Sequence, residues 1–194
     1  MPTKKTAKAV RAKKPAARAK KTAPRRARRA LAVPKGYHTV TPHLVLDECA
    51  QAIEFYKKAF GAQEVIRMPG PGGKVVHAEI QVGDSKVMLN DEMPPMPGQP
   101  GLYKSPKAAG LATAALFLYV DDVDKTFDRA VKAGCTARQP PTDMFWGDRF
   151  GQVIDPFGLT WGMATHVEDV TPAEMRRRQQ EFFTQMQQGG RPKP

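Results

Sequence analysis

The chain repeats itself once. Leu46-Asp47-Glu48 returns as Val120-Asp121-Asp122, 74 residues later, and at the same offset Ile53 meets Phe127 and Gly83-Asp84 meets Phe157-Gly158. A one-residue insertion or deletion intervenes near the end of the helix each copy contains. Two copies, rather than a longer array, mean a duplicated domain and not a solenoid. Whatever one copy folds into, the other must fold into as well.

In the first copy, residues 37–46 are rich in β-branched and aromatic residues and predict a strand. Asp47 suits a helix N-cap. Cys49, Ala52, Ile53, Tyr56, Ala59 and Phe60 then fall at helical spacing on one apolar face, and Gly61 stops the helix. Strands are predicted over 62–68, 74–82 and 85–90, joined by the Pro69–Gly73 turn and the Gly83-Asp84 hairpin. In the second copy a strand over 116–120 precedes Asp121-Asp122, which can cap a helix with the stripe Val123, Phe127, Ala130 and Val131, ended by Gly134. Strands follow over 136–139, 150–154 and 159–165, with Asp155-Pro156-Phe157-Gly158 as the last turn. Each copy is β-α-β-β-β, which predicts an α+β body over 36–166 built from modules 36–90 and 112–166. The linker 91–111 is rich in proline and reads as either a pocket lid or a plain connection.

Charge divides the chain differently. Residues 1–35 carry 14 of the 31 Lys and Arg residues and no acid, so 17 bases face all 19 acids in the rest and the net +12 belongs to the arm. Such a segment, dominated by Lys, Arg, Ala and Pro, cannot bury enough apolar surface to offset its ordering entropy and is expected to be disordered. Its composition resembles the tails of linker histones and bacterial histone-like proteins. Lys13, Lys14, Lys20, Lys21, Arg25, Arg26, Arg28 and Arg29 are the candidates for sequence-independent contact with nucleic acid. A solvated tail that aids solubility and an organelle presequence are the alternatives.

Residues 167–194 open on Thr171-Pro172-Ala173-Glu174, a capping box with proline at the first helical position. A helix to about Gln187 follows, with Met175, Gln179, Phe182 and Met186 on one face and Phe183 beside them. That stripe needs a surface to dock on. No stretch approaches a membrane span and no apolar region follows the first charges, so neither membrane nor secretion is expected. Cys49 and Cys135 are too few for a disulfide framework or a cysteine metal cluster and read as small buried apolar residues. A cytoplasmic protein, possible nucleoid association through the arm included, is the expectation. No P-loop, GxGxxG or GxSxG occurs.

The duplicated plan, His43-Leu44-Val45-Leu46-Asp47, Ile53-Glu54-Phe55-Tyr56 followed by Phe60-Gly61-Ala62, and Asp155-Pro156-Phe157-Gly158 followed by Trp161 together resemble the glyoxalase/bleomycin-resistance/extradiol-dioxygenase superfamily, the vicinal oxygen chelate proteins. Lys74–Ile80 and Trp146-Gly147-Asp148-Arg149 are similar to its PhnB-like branch. The resemblance implies two modules curling an eight-stranded mixed sheet into a cup with helices outside, and a homodimer. Where a metal binds in that superfamily, side chains from the first and last strands of each module hold it, and it acts as a Lewis acid on vicinal oxygens.

Aligned on that pattern, the usual metal positions fall at Thr41, Glu79, Ala115 and Gly162, of which only Glu79 has a ligand side chain. No cofactor is therefore expected. Strand parity puts Val40, Leu44 and Leu46 on the helix side, and Thr39, Thr41 and His43 in the cup. It likewise sets Val76, Ala78, Ile80 and Val82 against Val75, His77, Glu79 and Gln81. His43, His77 and Glu79 then face one cavity, as hydrogen-bonding groups, as ligand-recognition groups, or as a displaced two-His-one-carboxylate metal site. Ala115, Phe117 and Tyr119 supply an apolar wall, and Trp146 and Arg149 invite stacking or anion binding; a structural Trp146, and an Arg149 paired with Asp148 or Asp143, are the alternatives. His38 and His166 read as incidental. The expected function is metal-free binding of a small, partly apolar ligand, as in bleomycin-resistance-type sequestration. A metal-dependent lyase, isomerase or dioxygenase using His43, His77 and Glu79 is the first rival, and a DNA-associated accessory protein is the second.

Overall fold

The duplication is visible in the strand register. In the computed structural model, which describes residues 32–94 and 103–188, the first module runs β1 (His43–Leu46), α1 (Cys49–Phe60), β2 (Gln63–Pro69), β3 (Val75–Val82) and β4 (Ser85–Asp91). A four-residue helix α2 (Pro106–Ala109) lies in the linker. The second module runs β5 (Ala115–Tyr119), α3 (Val123–Ala133), β6 (Thr136–Asp143), β7 (Asp148–Ile154) and β8 (Thr160–His166), and α4 (Pro172–Gln187) follows. The eight strands form two four-stranded mixed sheets that do not close, ordered β1-β4-β3-β2 and β5-β8-β7-β6. In each, the first strand runs parallel to the last.

The arm, with its eight candidate nucleic-acid contacts, lies outside the described residues, as does the centre of the linker. The fold is that of the unit Val33–Pro194.

Helix α1 buries the six residues expected of it, against the inner face of the first sheet. Helix α3 buries Val123, Thr126, Phe127 and Ala130; Val131, expected in the stripe, is exposed, and Thr126, not expected there, is buried. The two helices pack on each other, so the core is shared. Tyr56 of α1 donates its hydroxyl to Asp155 Oδ2 at 2.9 Å, across the two modules. Trp161 Nε1 donates to the same oxygen, and the backbone N–H groups of Phe157 and Leu159 donate to Oδ1, each at 2.9 Å. The Asp-Pro-Phe-Gly turn is thus the knot that ties α1 to the second sheet. Burial pushes the Asp155 carboxyl above its ordinary range despite these four donors, and desolvation with the nearby Asp155 raises Tyr56 as well.

Helix starts are tied to the last strands at equivalent positions. Cys49 N–H donates to Asp91 Oδ1 at 2.9 Å, and Val123 N–H, 74 residues on, donates to Thr165 Oγ1 at 2.8 Å. Asp122 caps α3 through the Lys125 N–H, as expected. Asp47 does not cap α1: the N-cap is Glu48, without a side-chain cap, because Asp91 already satisfies the first turn.

Other expectations change as well. Only His43–Leu46 of the expected 37–46 strand is strand, since Pro42 has no N–H to give a ladder; Val40 is exposed rather than packed on the helix. A register shift between Met68 and Pro69 opposite the start of β3 reverses parity there, burying Val75 and leaving Val76 45% exposed. Strand β6 continues through Pro140-Pro141, an edge position where proline is tolerated, with a break in register between Gln139 and Thr142. Helix α4 starts at Thr171, whose hydroxyl accepts from Glu174 N–H, but the Glu174 carboxylate goes to Arg177 and Arg178 rather than back to the cap. In the α4 stripe Phe182 docks with its ring 5.1 Å from that of Phe145 and Met175 is half-buried, while Phe183 and Met186 stay exposed.

Candidate functional site

Outer sheet faces are where the two modules diverge. Across the first sheet, His43 pairs with Met88, Met88 with Glu79, and Glu79 with Ile66. Across the second, Phe117 pairs with Gly162, Gly162 with Gln152, and Gln152 with Gln139. These are the same row of the same module. His43 answers to Phe117 and Met88 to Gly162 at the 74-residue offset.

In and beside the first row, polar side chains engage one another. His43 Nε2 lies 2.5 Å from Asn90 Oδ1, and Asn90 Nδ2 donates to the Asp91 carbonyl. Glu79, with its side chain 12% exposed, accepts from the Tyr37 hydroxyl; His77 Nε2 is 3.3 Å from its other oxygen and Lys86 Nζ 3.5 Å away. Lys86 also sits 4.0 Å over the Tyr37 ring. The Tyr37 hydrogen bond, foremost, holds the Glu79 carboxyl below the usual carboxylate range. The structure therefore brings His77 and Glu79 together and sets His43 apart, with the Met88 strand between. Strand spacing puts His43 and Glu79 roughly 10 Å apart at Cα, two strands across.

The metal pattern does not fit this donor set. Glu79 lies on β3, not on the strand beside β1 where the resemblance puts a ligand. At the outward first- and last-strand positions stand His43 and Met88 in one module, Phe117 and Gly162 in the other. Thr41 Oγ1 donates to the His38 carbonyl, and Ala115 offers no donor. Among the described residues, no group of three or more His, Cys, Asp or Glu side chains could hold a metal ion.

The outward face of the second sheet is aromatic. Phe117 and Phe150 are stacked with centroids 5.6 Å apart, Tyr119 is 5.1 Å from Phe117, and Trp146 is 6.1 Å from Phe150. Beside them Asp148, 4% exposed, accepts from Tyr119 Oη at 3.1 Å and Trp146 Nε1 at 3.0 Å, and its other oxygen lies 2.7 Å from His166 Nδ1. His166 Nε2 reaches Asp169, and the two carboxylates, Asp148 first, raise the imidazole above its ordinary value. His166, read as incidental, is thus part of this cluster. Arg149 is not: its guanidinium is taken by Asp124 at 2.6 and 2.7 Å and by Asp143 at 3.1 Å. A groove of about 1060 Å³ includes Thr41, Lys86, Phe117 and Tyr119 in its lining, but none of His43, His77, Glu79, Trp146 or Arg149.

Sequence reasoning missed Tyr37 and Asp148. Tyr37 lies six residues before β1 and reaches Glu79 only through the tertiary fold, a contact no spacing announces. Asp148 had a signal: it alternates with Phe150 along β7, on the outward face.

The comparisons agree with this geometry. The model of the Glyoxalase/Bleomycin resistance protein/Dioxygenase superfamily matches residues 37–163. The chain belongs to that superfamily. Uncharacterized protein Rv0887c of Mycobacterium tuberculosis is 44% identical over 137 residues, covering 71% of this chain and 79% of the relative. Among solved structures, TioX from Micromonospora sp. ML1 is 26% identical with a TM-score of 0.51, over 66% of this chain and 98% of that one. A glyoxalase/bleomycin resistance protein/dioxygenase from Nocardioides, 23% identical with a TM-score of 0.53 over 70% and 87%, shares the fold.

Proposed function

We propose that the protein binds and sequesters a small, partly apolar ligand against the outward faces of its two sheets, without the metal ion of many superfamily members. One observation carries the reading: in the row where paired modules would gather chelating side chains, the second module has Phe117 and Gly162. An apolar wall of Phe117, Tyr119, Phe150 and Trp146 with a few polar groups across from it is the usual make-up of a small-molecule site. His43, His77 and Glu79 are the polar groups on the other face.

Within one chain these faces are turned away from the shared helix layer, and Ile66, Met68, Phe117 and Tyr119 are exposed on them. A second copy would lay a first-module face over a second-module face and complete the cup, so a homodimer is part of the proposal. Among the described residues no helix is long and apolar enough to cross a membrane.

Thermal-shift screening of the full chain, in chelator, against metabolites and drug-like compounds tests the reading. A ligand at 100 times its Kd stabilises by about 2.7 kcal/mol. The expected result is a shift that Phe117→Ala and His77→Ala each reduce. Ligands that act only after Zn, Mn, Fe or Ni is restored would contradict it.

A further inference from the structure

The aromatic row has a floor that its counterpart lacks. The Phe117 and Phe150 rings are parallel to within 8°, and both lie over Gly162. A Cβ at Gly162 would stand 2.8 Å from Phe117 Cδ2 and 3.1 Å from Phe150 Cε2. Gly162 is not among the glycines with positive φ, so its backbone does not require glycine; what the position requires is the missing side chain. At the equivalent place in the first sheet stands Met88. The glycine makes room at the sheet surface for this stacked pair, and Phe117 remains 49% and Tyr119 68% exposed.

The ring faces give this surface an electrostatic sign as well as a shape. Aromatic faces carry negative quadrupole density. Tyr119 and Trp146 both donate to the buried Asp148 carboxylate, which fixes their orientation and sets a carboxylate at their polar edges. Arg149, next along β7, is turned to Asp124 and Asp143 and does not offset it. His166 is the cation that touches Asp148, and it is shared with Asp169.

We propose that the Gly162-floored platform of Phe117, Phe150, Tyr119 and Trp146, edged by Asp148, selects a planar aromatic cation, such as a quaternised or protonated heteroaromatic ring. The inference rests on the reading of the outer sheet faces as the ligand surface, and adds to it a shape and a charge. The ring stacks on Phe117, and its positive charge is held by ring faces and by Asp148.

Titration calorimetry on the full-length protein tests it with three probes: N-methylquinolinium (planar cation), 2-naphthoate (planar anion) and N,N-dimethyldecahydroquinolinium (puckered cation). The planar cation is expected to bind at least about tenfold tighter than either of the others. Gly162→Ala, whose Cβ displaces both stacked rings, should abolish that preference. Phe117→Leu, at a half-exposed position that leaves the fold intact, should reduce it about fivefold or more even if Gly162→Ala fails to fold. Equal binding of planar and puckered cations, or tighter binding of the naphthoate, overturns the inference while keeping a small-ligand cup. Binding of no probe, in a protein that also gives no shift in the ligand screen, overturns it together with the reading it rests on.

Discussion

The two modules share a backbone and differ in what they turn outward. On their inner faces the duplication is conservative. Cys49 and Val123 open the helices, Asp91 and Thr165 hold those openings from the last strand, and the apolar stripes of α1 and α3 meet in one core. On their outer faces, the row His43–Met88–Glu79 has become Phe117–Gly162–Gln152. Packing restricts the first set, because a core position filled wrongly costs several kcal/mol. No such restriction acts on a solvent-facing row, so a once-repeated frame can carry a polar, self-satisfied surface on one sheet and a stacking surface on the other.

The comparison breaks most visibly at the final turns. Asp155 serves four donors, two of them buried side chains from different modules, so Asp155→Ala should cost about 3–5 kcal/mol. Asp84, in the equivalent turn of the first module, meets only Ser85, and Asp84→Ala should fall within about 0.5 kcal/mol. Urea denaturation of both variants measures the contrast, and equal losses would dissolve it. Next in size are the helix anchors. Asp91→Ala orphans the N–H groups of both Cys49 and Val75 and should cost about 2–3 kcal/mol, whereas Thr165→Ala orphans that of Val123 and should cost about 1 kcal/mol.

Smaller effects separate the outer faces by pH. Glu79 is held below its ordinary value, so its contribution is present above about pH 4.5 and is lost as pH falls through the depressed value. Tyr37→Phe should remove about 1 kcal/mol at neutral pH and raise the Glu79 titration seen by NMR. His166 behaves in the opposite sense. Its value is raised above 6.5, so its contribution is present below that pH and fades as pH rises through the raised value. Asp148→Asn should bring it back down and shift the Trp146 indole resonance. The smallest effect on the body concerns the arm: deletion of residues 1–33 should leave Tm unchanged while abolishing weak, salt-sensitive retention on DNA. Retention that survives the deletion would remove the arm from that role.

Periodicity carries most of the fold. The stripe of α1 is legible to the residue because a helix that must bury one face displays it at fixed spacing. The 74-residue offset is legible because both modules meet the same core. The late start of β1 at His43, the parity reversal at Val75 and the passage of β6 through Pro140-Pro141 are not, since a bulge or an edge position depends on the neighbouring strand. At the site, alternation placed His77 with Glu79 and put Phe117 beside Tyr119 correctly. It could not assign partners: Tyr37 to Glu79 spans 42 residues and Tyr119 to Asp148 spans 29, and both are set by strand order rather than by local pattern. Arg149 shows the converse, a residue whose chemistry suggests a ligand and whose neighbours on α3 and β6 have already claimed it.

Elemental analysis of the full-length protein, purified without added metal and compared before and after chelation, asks whether the altered row still chelates. The account predicts less than stoichiometric Zn, Fe, Mn or Ni and an unchanged melting temperature after chelation. One equivalent of metal per chain, lost on chelation and absent from His43→Ala or His77→Ala, would contradict it.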